Sequence, residues 1–165
     1  EPEELMMGAD TNGQPPLLVM LDGIQDPHNL GAIARTADAA GAHGLIIPER
    51  RAVGITAGAV RASAGALEHV KVSRVTNLNR TIERLKETGM LVVGLDAEGD
   101  VEYTEADYKG PLLIVIGSEG NGLSRLVREN CDQIASIPMA GKLSSLNASV
   151  SAGLVLYEAF RQRRA

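Results

Sequence analysis

Short, unbroken apolar runs separated by helical patterns are the feature that most limits how this chain can fold. Residues 17–21 (LLVML), 90–95 (MLVVGL) and 112–116 (LLIVI) show no alternation of polar and apolar positions. Strands of that kind are covered by protein on both faces. Helical stretches lie between them. Residues 29–40 (NLGAIARTADAA) are stopped by Gly41, residues 57–67 read as a small-residue helix, and 77–88 carry Leu78, Ile82 and Leu85 in phase before Gly89. Residues 45–47, 70–72 and 134–137 predict shorter strands, and 123–130 a further helix. The pattern predicts an α/β domain with a mostly parallel sheet flanked by helices. Ligands of such folds bind beyond the carboxyl ends of strands, so the segments after Leu21, Ile116 and Ile137 are the candidate functional loops.

The longest helical pattern is 145–163. Leu146, Val150, Gly153, Leu154 and Tyr157 recur at helical spacing, and Val155, Leu156 and Phe160 widen the apolar surface. Such a helix is buried on several sides, within the domain or against a second subunit. The chain has 165 residues, enough for one compact domain. Residues 1–16, acidic and then rich in turn and breaker residues (Asp10-Thr11-Asn12-Gly13, Pro15-Pro16), read as a linker or tail; 17–165 form the domain. The start on Glu1 without a signal-peptide pattern predicts a piece of a longer, cytoplasmic protein. No apolar run approaches the ~18 residues of a membrane span.

Composition removes several function classes. Aromatic residues are 2% of the chain, too few for serial base-stacking platforms. Cys131 is the single cysteine, which excludes an internal disulfide or a cysteine-based zinc site. The net charge of −5 taken alone disfavours a polyanionic partner. Ten of the 21 acids, however, fall in two stretches without a base, residues 1–10 and 96–107. Elsewhere the 16 bases are in excess. Charge alone describes a solvated surface that permits phosphate binding without requiring it.

Three strand-end segments carry the chemistry. In the first, Asp26-Pro27 is a turn signal, Asn29 is expected to cap the next helix, and Arg35 lies in its second turn. A capped helix with one surface arginine accounts for this, although Gly31, Ala32 and Ala34 also suit close packing on a ligand or another chain. The second, Ile116–Ser124 (IGSEGNGLS), has glycines spaced G-x-x-G-x-G, which is neither the dinucleotide fingerprint nor a Walker A loop. Glycines there let main chain approach a bound molecule, and Glu119 favours a neutral or cationic ligand. A glycine-rich turn with a solvated Glu fits equally well. In the third, residues 137–153 (IPMAGKLSSLNASVSAG), Ser144 or Ser145 is expected to cap a helix whose N-terminus suits a phosphate; a plain Ser-capped helix fits too.

In this order and spacing, DPHNLGAIARTADAAG, IGSEGNGL and IPMAGKLSSLNASVSAG resemble the three motifs of the SpoU (TrmH-like) family of RNA ribose 2′-O-methyltransferases, within the SPOUT superfamily. The resemblance runs from about Leu17 to Arg164. The wording of DPHNLGA, IPMAG and SSLN is similar to bacterial 23S ribosomal RNA (guanosine-2′-O)-methyltransferases, which carry a further N-terminal RNA-binding domain. The resemblance implies a deep trefoil knot at the C-terminal end, S-adenosyl-L-methionine as cofactor, RNA as substrate and an obligate homodimer. It assigns Gly117, Ile137 and Leu146 to the cofactor. It assigns Arg35, Asn29, Glu119, Ser145 and Asn147 to catalysis. Asn29 and Asn147 would hold the arginine and the ribose, Ser145 the substrate phosphate, and Glu119 would orient Arg35 or its own loop. Family-based proposals make the arginine a general base. A guanidinium stays protonated in proteins, so the expected role of Arg35 is a cation gripping phosphate and the developing alkoxide. No metal is expected, since His28, His43 and His69 lack ligand spacing.

Three rival readings share parts of this pattern. A transfer-RNA enzyme of the same family would use the same chemistry on another substrate. A non-catalytic RNA-binding module has no need for all five catalytic positions. A nicotinamide-dependent enzyme is disfavoured by the glycine spacing.

Overall fold

The computed structural model describes residues 1, 2, 4, 5, 13–49, 61, 65, 67, 69–118 and 120–165. The described strands are β1 (Leu17–Asp22), β2 (Gly44–Pro48), β3 (Lys71–Val75), β4 (Leu91–Leu95), β5 (Val101–Glu102), β6 (Leu112–Gly117) and β7 (Gln133–Ser136). The helices are α1 (Pro27–Ala39), α2 (Leu78–Glu87), α3 (Arg125–Asn130) and α4 (Ala148–Arg164). The helix expected over 57–67 lies outside the described residues except at three isolated positions. One sheet in the order β3-β2-β1-β6-β4-β7-β5 joins all seven strands. Each of its strand pairings is parallel.

The continuous apolar runs serve two cores at once. Leu17, Val19 and Leu21 of β1, with Leu112, Ile114 and Ile116 of β6, face α1 and α4. Leu18, Met20, Leu113 and Val115 face α2 and α3. Successive strand side chains point to opposite faces, so a strand between two helical layers needs an apolar residue at every position. β6 is central, flanked by β1 and β4. Leu5, from the segment read as a linker, is buried in the second core. It packs where Gly44 has no side chain, and a Cβ there would come within 2.5 Å of Leu5 Cδ1.

Three local expectations change. Asp26, not Asn29, caps α1: its Oδ1 accepts from His28 N at 2.9 Å, and Pro27 occupies the first turn. Proline suits that position because its missing N–H would be unpaired there anyway. Asn147, not Ser144 or Ser145, caps α4 by accepting from Ser149 N at 2.9 Å. The small residues of α1 are explained within the chain: Gly31 and Ala34 are buried, and α1 packs on α4, where a Cβ at Gly153 would meet Thr36 Cγ2 at an ordinary 3.8 Å. β5 was not foreseen, because its two residues lie inside the acidic stretch. No helix among the described residues is long and apolar enough to cross a membrane.

A polar cluster ties α4 to the segment 106–108. Buried Glu158 accepts from Arg161 Nε at 2.9 Å and from Gln162 Nε2 at 2.8 Å. Gln162 Nε2 also donates to Ala106 O, and its Oε1 accepts from Tyr108 N. The hydrogen bonds from Arg161 are the chief cause holding the Glu158 carboxyl below its ordinary value of 4.5. A carboxyl lowered in the folded state stabilises it above the unfolded value, and that contribution disappears as pH falls through the folded one. The Tm of the wild type is therefore expected to exceed that of Glu158→Gln at neutral pH, with the gap closing as pH drops below about 4.5. A gap independent of pH would remove the charge from this account.

Candidate active site

A cavity of about 510 Å³ lies over the carboxyl ends of β4, β6 and β7. Leu95, Ile116, Ile137 and Leu146 supply apolar walls, and Ser118, Asn121, Ser144 and Ser145 add polar groups. Asp96, Glu98, Arg125 and Arg128 are its charged residues. Its size and mixture of surfaces match small-molecule sites. Of the residues singled out from sequence, Gly117, Ile137, Leu146 and Ser145 line this cavity. Arg35, Asn29 and Asn147 do not. Glu119 lies outside the described residues.

The loop after β6 is tightly constrained at its described residues. It reverses within five residues: Ser118 N donates to Gly122 O at 3.2 Å, and Gly122 N donates to Ser118 O at 2.9 Å. Gly120 and Gly122 have φ of +79° and +64°, a region that side chains avoid. Gly117 is required by proximity instead. A Cβ on it would lie 2.5 Å from Gly122 O and 2.6 Å from Leu123 N.

Two aspartates hold the far end of this loop, and sequence reasoning assigned neither a role. Asp22, at the end of β1, accepts at Oδ2 from Ser124 N (2.8 Å) and Ser124 Oγ (2.9 Å). Asp96, directly after β4, accepts at Oδ2 from Leu123 N at 3.1 Å. Its Oδ1 accepts from Glu98 N at 3.0 Å and pairs with Arg128 Nη1 at 3.2 Å. The available signal was the repeated ending of LLVMLD and LVVGLD, an acid closing a buried strand. Asp96 was instead counted within the acidic run.

Arg35 is exposed on α1, next to the Thr36 contact with α4. Among the described residues its side chain makes no hydrogen bond or ion pair. Asn147 commits its Oδ1 to the α4 cap. Val150, Leu154 and Tyr157 are 51%, 37% and 47% exposed, an apolar stripe on α4 at helical spacing that nothing within the described chain covers.

The SpoU rRNA Methylase family matches residues 16–157. A Bacillus subtilis (strain 168) protein named for the TrmH family of tRNA/rRNA methyltransferases, YacO, is 53% identical over 163 residues, covering 99% of this chain and 66% of that protein. The crystal structure of the SpoU methyltransferase AviRb from Streptomyces viridochromogenes with AdoMet superposes with a TM-score of 0.85 at 39% identity, over 92% of this chain and 62% of that one. A crystal structure described as an RNA 2′-O ribose methyltransferase superposes at 0.83 with 32% identity, over 92% of this chain and 59% of that one. The chain thus spans less than two thirds of the length of these proteins.

The glycine contacts yield a direct test. Gly117→Ala is expected to destabilise the fold by about 1–3 kcal/mol, the range for forced overpacking, read from chemical denaturation. Gly110, with nothing within 4 Å of its added Cβ, should tolerate alanine within about 0.5 kcal/mol. Equal effects at the two positions would refute the close crossing.

Proposed function

The chain belongs to the SpoU rRNA methylase family, and from that membership we propose that it transfers a methyl group from S-adenosyl-L-methionine to a ribose 2′-hydroxyl of RNA, with a guanosine of large-subunit ribosomal RNA as the target. The observation that carries this reading is the convergence of Gly117, Ile137 and Leu146 on one cavity. Gly117 comes from the segment after β6, and Ile137 and Leu146 from the segment after β7. The cavity's chemistry fits the donor. Its apolar walls suit the adenosyl group, its glycine loop offers main chain, and Asp96 and Glu98, balanced by Arg125 and Arg128, leave its lining without net charge. When bound, the donor supplies an electrophilic methyl carbon on a sulfonium leaving group.

The remaining difficulty is the weakly acidic hydroxyl, which has to be oriented and relieved of a proton. Ser145 lines the cavity and is the proposed contact to substrate phosphate. Arg35 is the proposed cation for phosphate and developing alkoxide; its freedom from partners among the described residues supports this. Asn29 and Asn147 are proposed to hold ribose and arginine, and Glu119 to orient the arginine or its own loop.

Assembly belongs to the same reading. A second copy of this chain is the proposed occupant of the Val150–Leu154–Tyr157 stripe, which makes the active form a homodimer. The site of action is the cytoplasm, residues 1–16 join the domain to the rest of a longer protein, and the C-terminal segment that leads through 137–147 into α4 forms a deep trefoil knot.

Nucleoside mass spectrometry of ribosomal and transfer RNA from cells with and without the full-length gene tests the function. Loss of a 2′-O-methylguanosine from large-subunit RNA is expected. Loss from transfer RNA alone would move the target, and no change in either would overturn the activity. Arg35→Ala is expected to lower kcat by about 100-fold or more while leaving donor affinity measured by calorimetry unchanged. Arg35→Lys with activity near wild type and a flat pH–rate profile would argue against a bidentate guanidinium.

A further inference from the structure

We propose that Asp22 and Asp96 are positioning residues for the methyl donor, setting the floor of its cavity by clamping the glycine-rich loop from both sides. The proposal rests on the reading of that cavity given above. Its basis is the strand order. β6 lies between β1 and β4, and the neighbours end at or one residue before the level of Gly117. Asp22 is the register partner of Gly117, and Asp96 follows Leu95, the partner of Ile116. Each flanking strand therefore delivers a carboxylate beside the point where β6 turns into its loop. The two carboxylates take consecutive amides, Leu123 N on Asp96 and Ser124 N on Asp22.

The loop is thus fixed at its root by the Gly117 crossing and at its exit by two charge-assisted hydrogen bonds. Asp96 adds a third constraint. A Cβ on Gly122 would come within 2.5 Å of its Oδ2. Through Arg128, whose Nη2 also donates to Glu98 O at 2.8 Å, Asp96 links the 96–98 turn to α3. Asp96, Gly117, Gly122 and Leu123 all line the cavity, so the clamp determines where main chain meets the ligand.

The two aspartates are used differently, and this makes the proposal specific. Asp22 works through Oδ2 alone, and an asparagine oxygen can replace that. Asp96 needs both oxygens, one for Leu123 N and the other for Glu98 N and Arg128. An asparagine NH₂ would face a donor on one of those sides.

Calorimetry with S-adenosyl-L-methionine on the full chain tests it. Asp22→Ala and Asp96→Ala are each expected to weaken binding about 10-fold or more, as for loss of a hydrogen bond to a charged group. Asp22→Asn should recover affinity to within about 3-fold, and Asp96→Asn should not. Asp132→Asn is the structural control. Asp132 accepts from Val92 N at 2.7 Å, near the amino end of β4 and away from the cavity. Its replacement should lower Tm and leave donor affinity unchanged. In turnover, the clamp variants should raise KM for the donor and not for RNA.

Three results would overturn the clamp with the functional reading intact: Asp22→Asn as weak as Asp22→Ala, Asp96→Asn as tight as wild type, or Asp132→Asn as damaging as either alanine variant. Absence of donor binding by the wild type would overturn both. Should an alanine variant fail to fold, amide exchange at Leu123 and Ser124 in the wild type decides. Slow exchange without ligand is expected, and free exchange there would reject the clamp.

Discussion

Everything in this domain is built around the burial of β6 between two parallel neighbours and two helical layers. Its residues pair with β1 over six positions and with β4 over five, and its side chains alternate between the two cores. A slip of one residue would exchange the contents of those cores, so the register is held strongly. The end of β6 is therefore a fixed point, and the chain leaves it into a reversal that glycine permits. A loop anchored to a buried strand paired on both sides inherits that strand's precision. The cavity walls owe their geometry to the sheet more than to the loop's own hydrogen bonds.

The residues that were legible beforehand were those whose role follows from local pattern. LLVML and LLIVI announced strands covered on both faces, and 77–88 announced a helix through its period. β5 was illegible because two residues paired with β7 carry no periodicity, and the acids around them resemble a solvated loop. The caps went wrong for a related reason. Asn29 and Ser145 are good capping types, yet the competing Asp26-Pro27 and Asn147 were better placed for the first turn that actually forms. Propensity ranks candidates, and the tertiary position of the helix start chooses among them. Ile137 and Leu146 reach the cavity from the segment after β7, a convergence that depends on strand order. The family motifs identified them in advance; spacing alone did not.

Arg35 shows a different limit. Its motif position marks it for chemistry, but the folded chain leaves it exposed on α1 and outside the lining of the cavity. Its absence from the cavity lining leaves its assignment legible from the motif alone. The apolar stripe on α4, packed beside α1, gives the same domain a surface that calls for a partner. A helix that buries Val155, Leu156 and Ala159 inward while exposing Val150, Leu154 and Tyr157 satisfies the helical pattern twice, once for the core and once for a second surface.

The net charge of −5 is a poor guide to what this surface attracts, and the structure explains why. Asp22 and Asp96 accept backbone amides at the loop exit. Asp26 caps α1, Asp132 accepts from Val92 N and pairs with Lys86, and Glu158 is buried against Arg161 and Gln162. These five carboxylates help to hold the fold, and three of them also pair with a nearby lysine or arginine. A formal sum ignores position, although a distant polyanion responds to the field at the surface it approaches, screened within about 10 Å. Acidity gathered at the β5 edge and in structural hydrogen bonds leaves other faces free to be basic. For an α/β domain with this many strand-end aspartates, overall charge argues about solubility, and the distribution argues about partners.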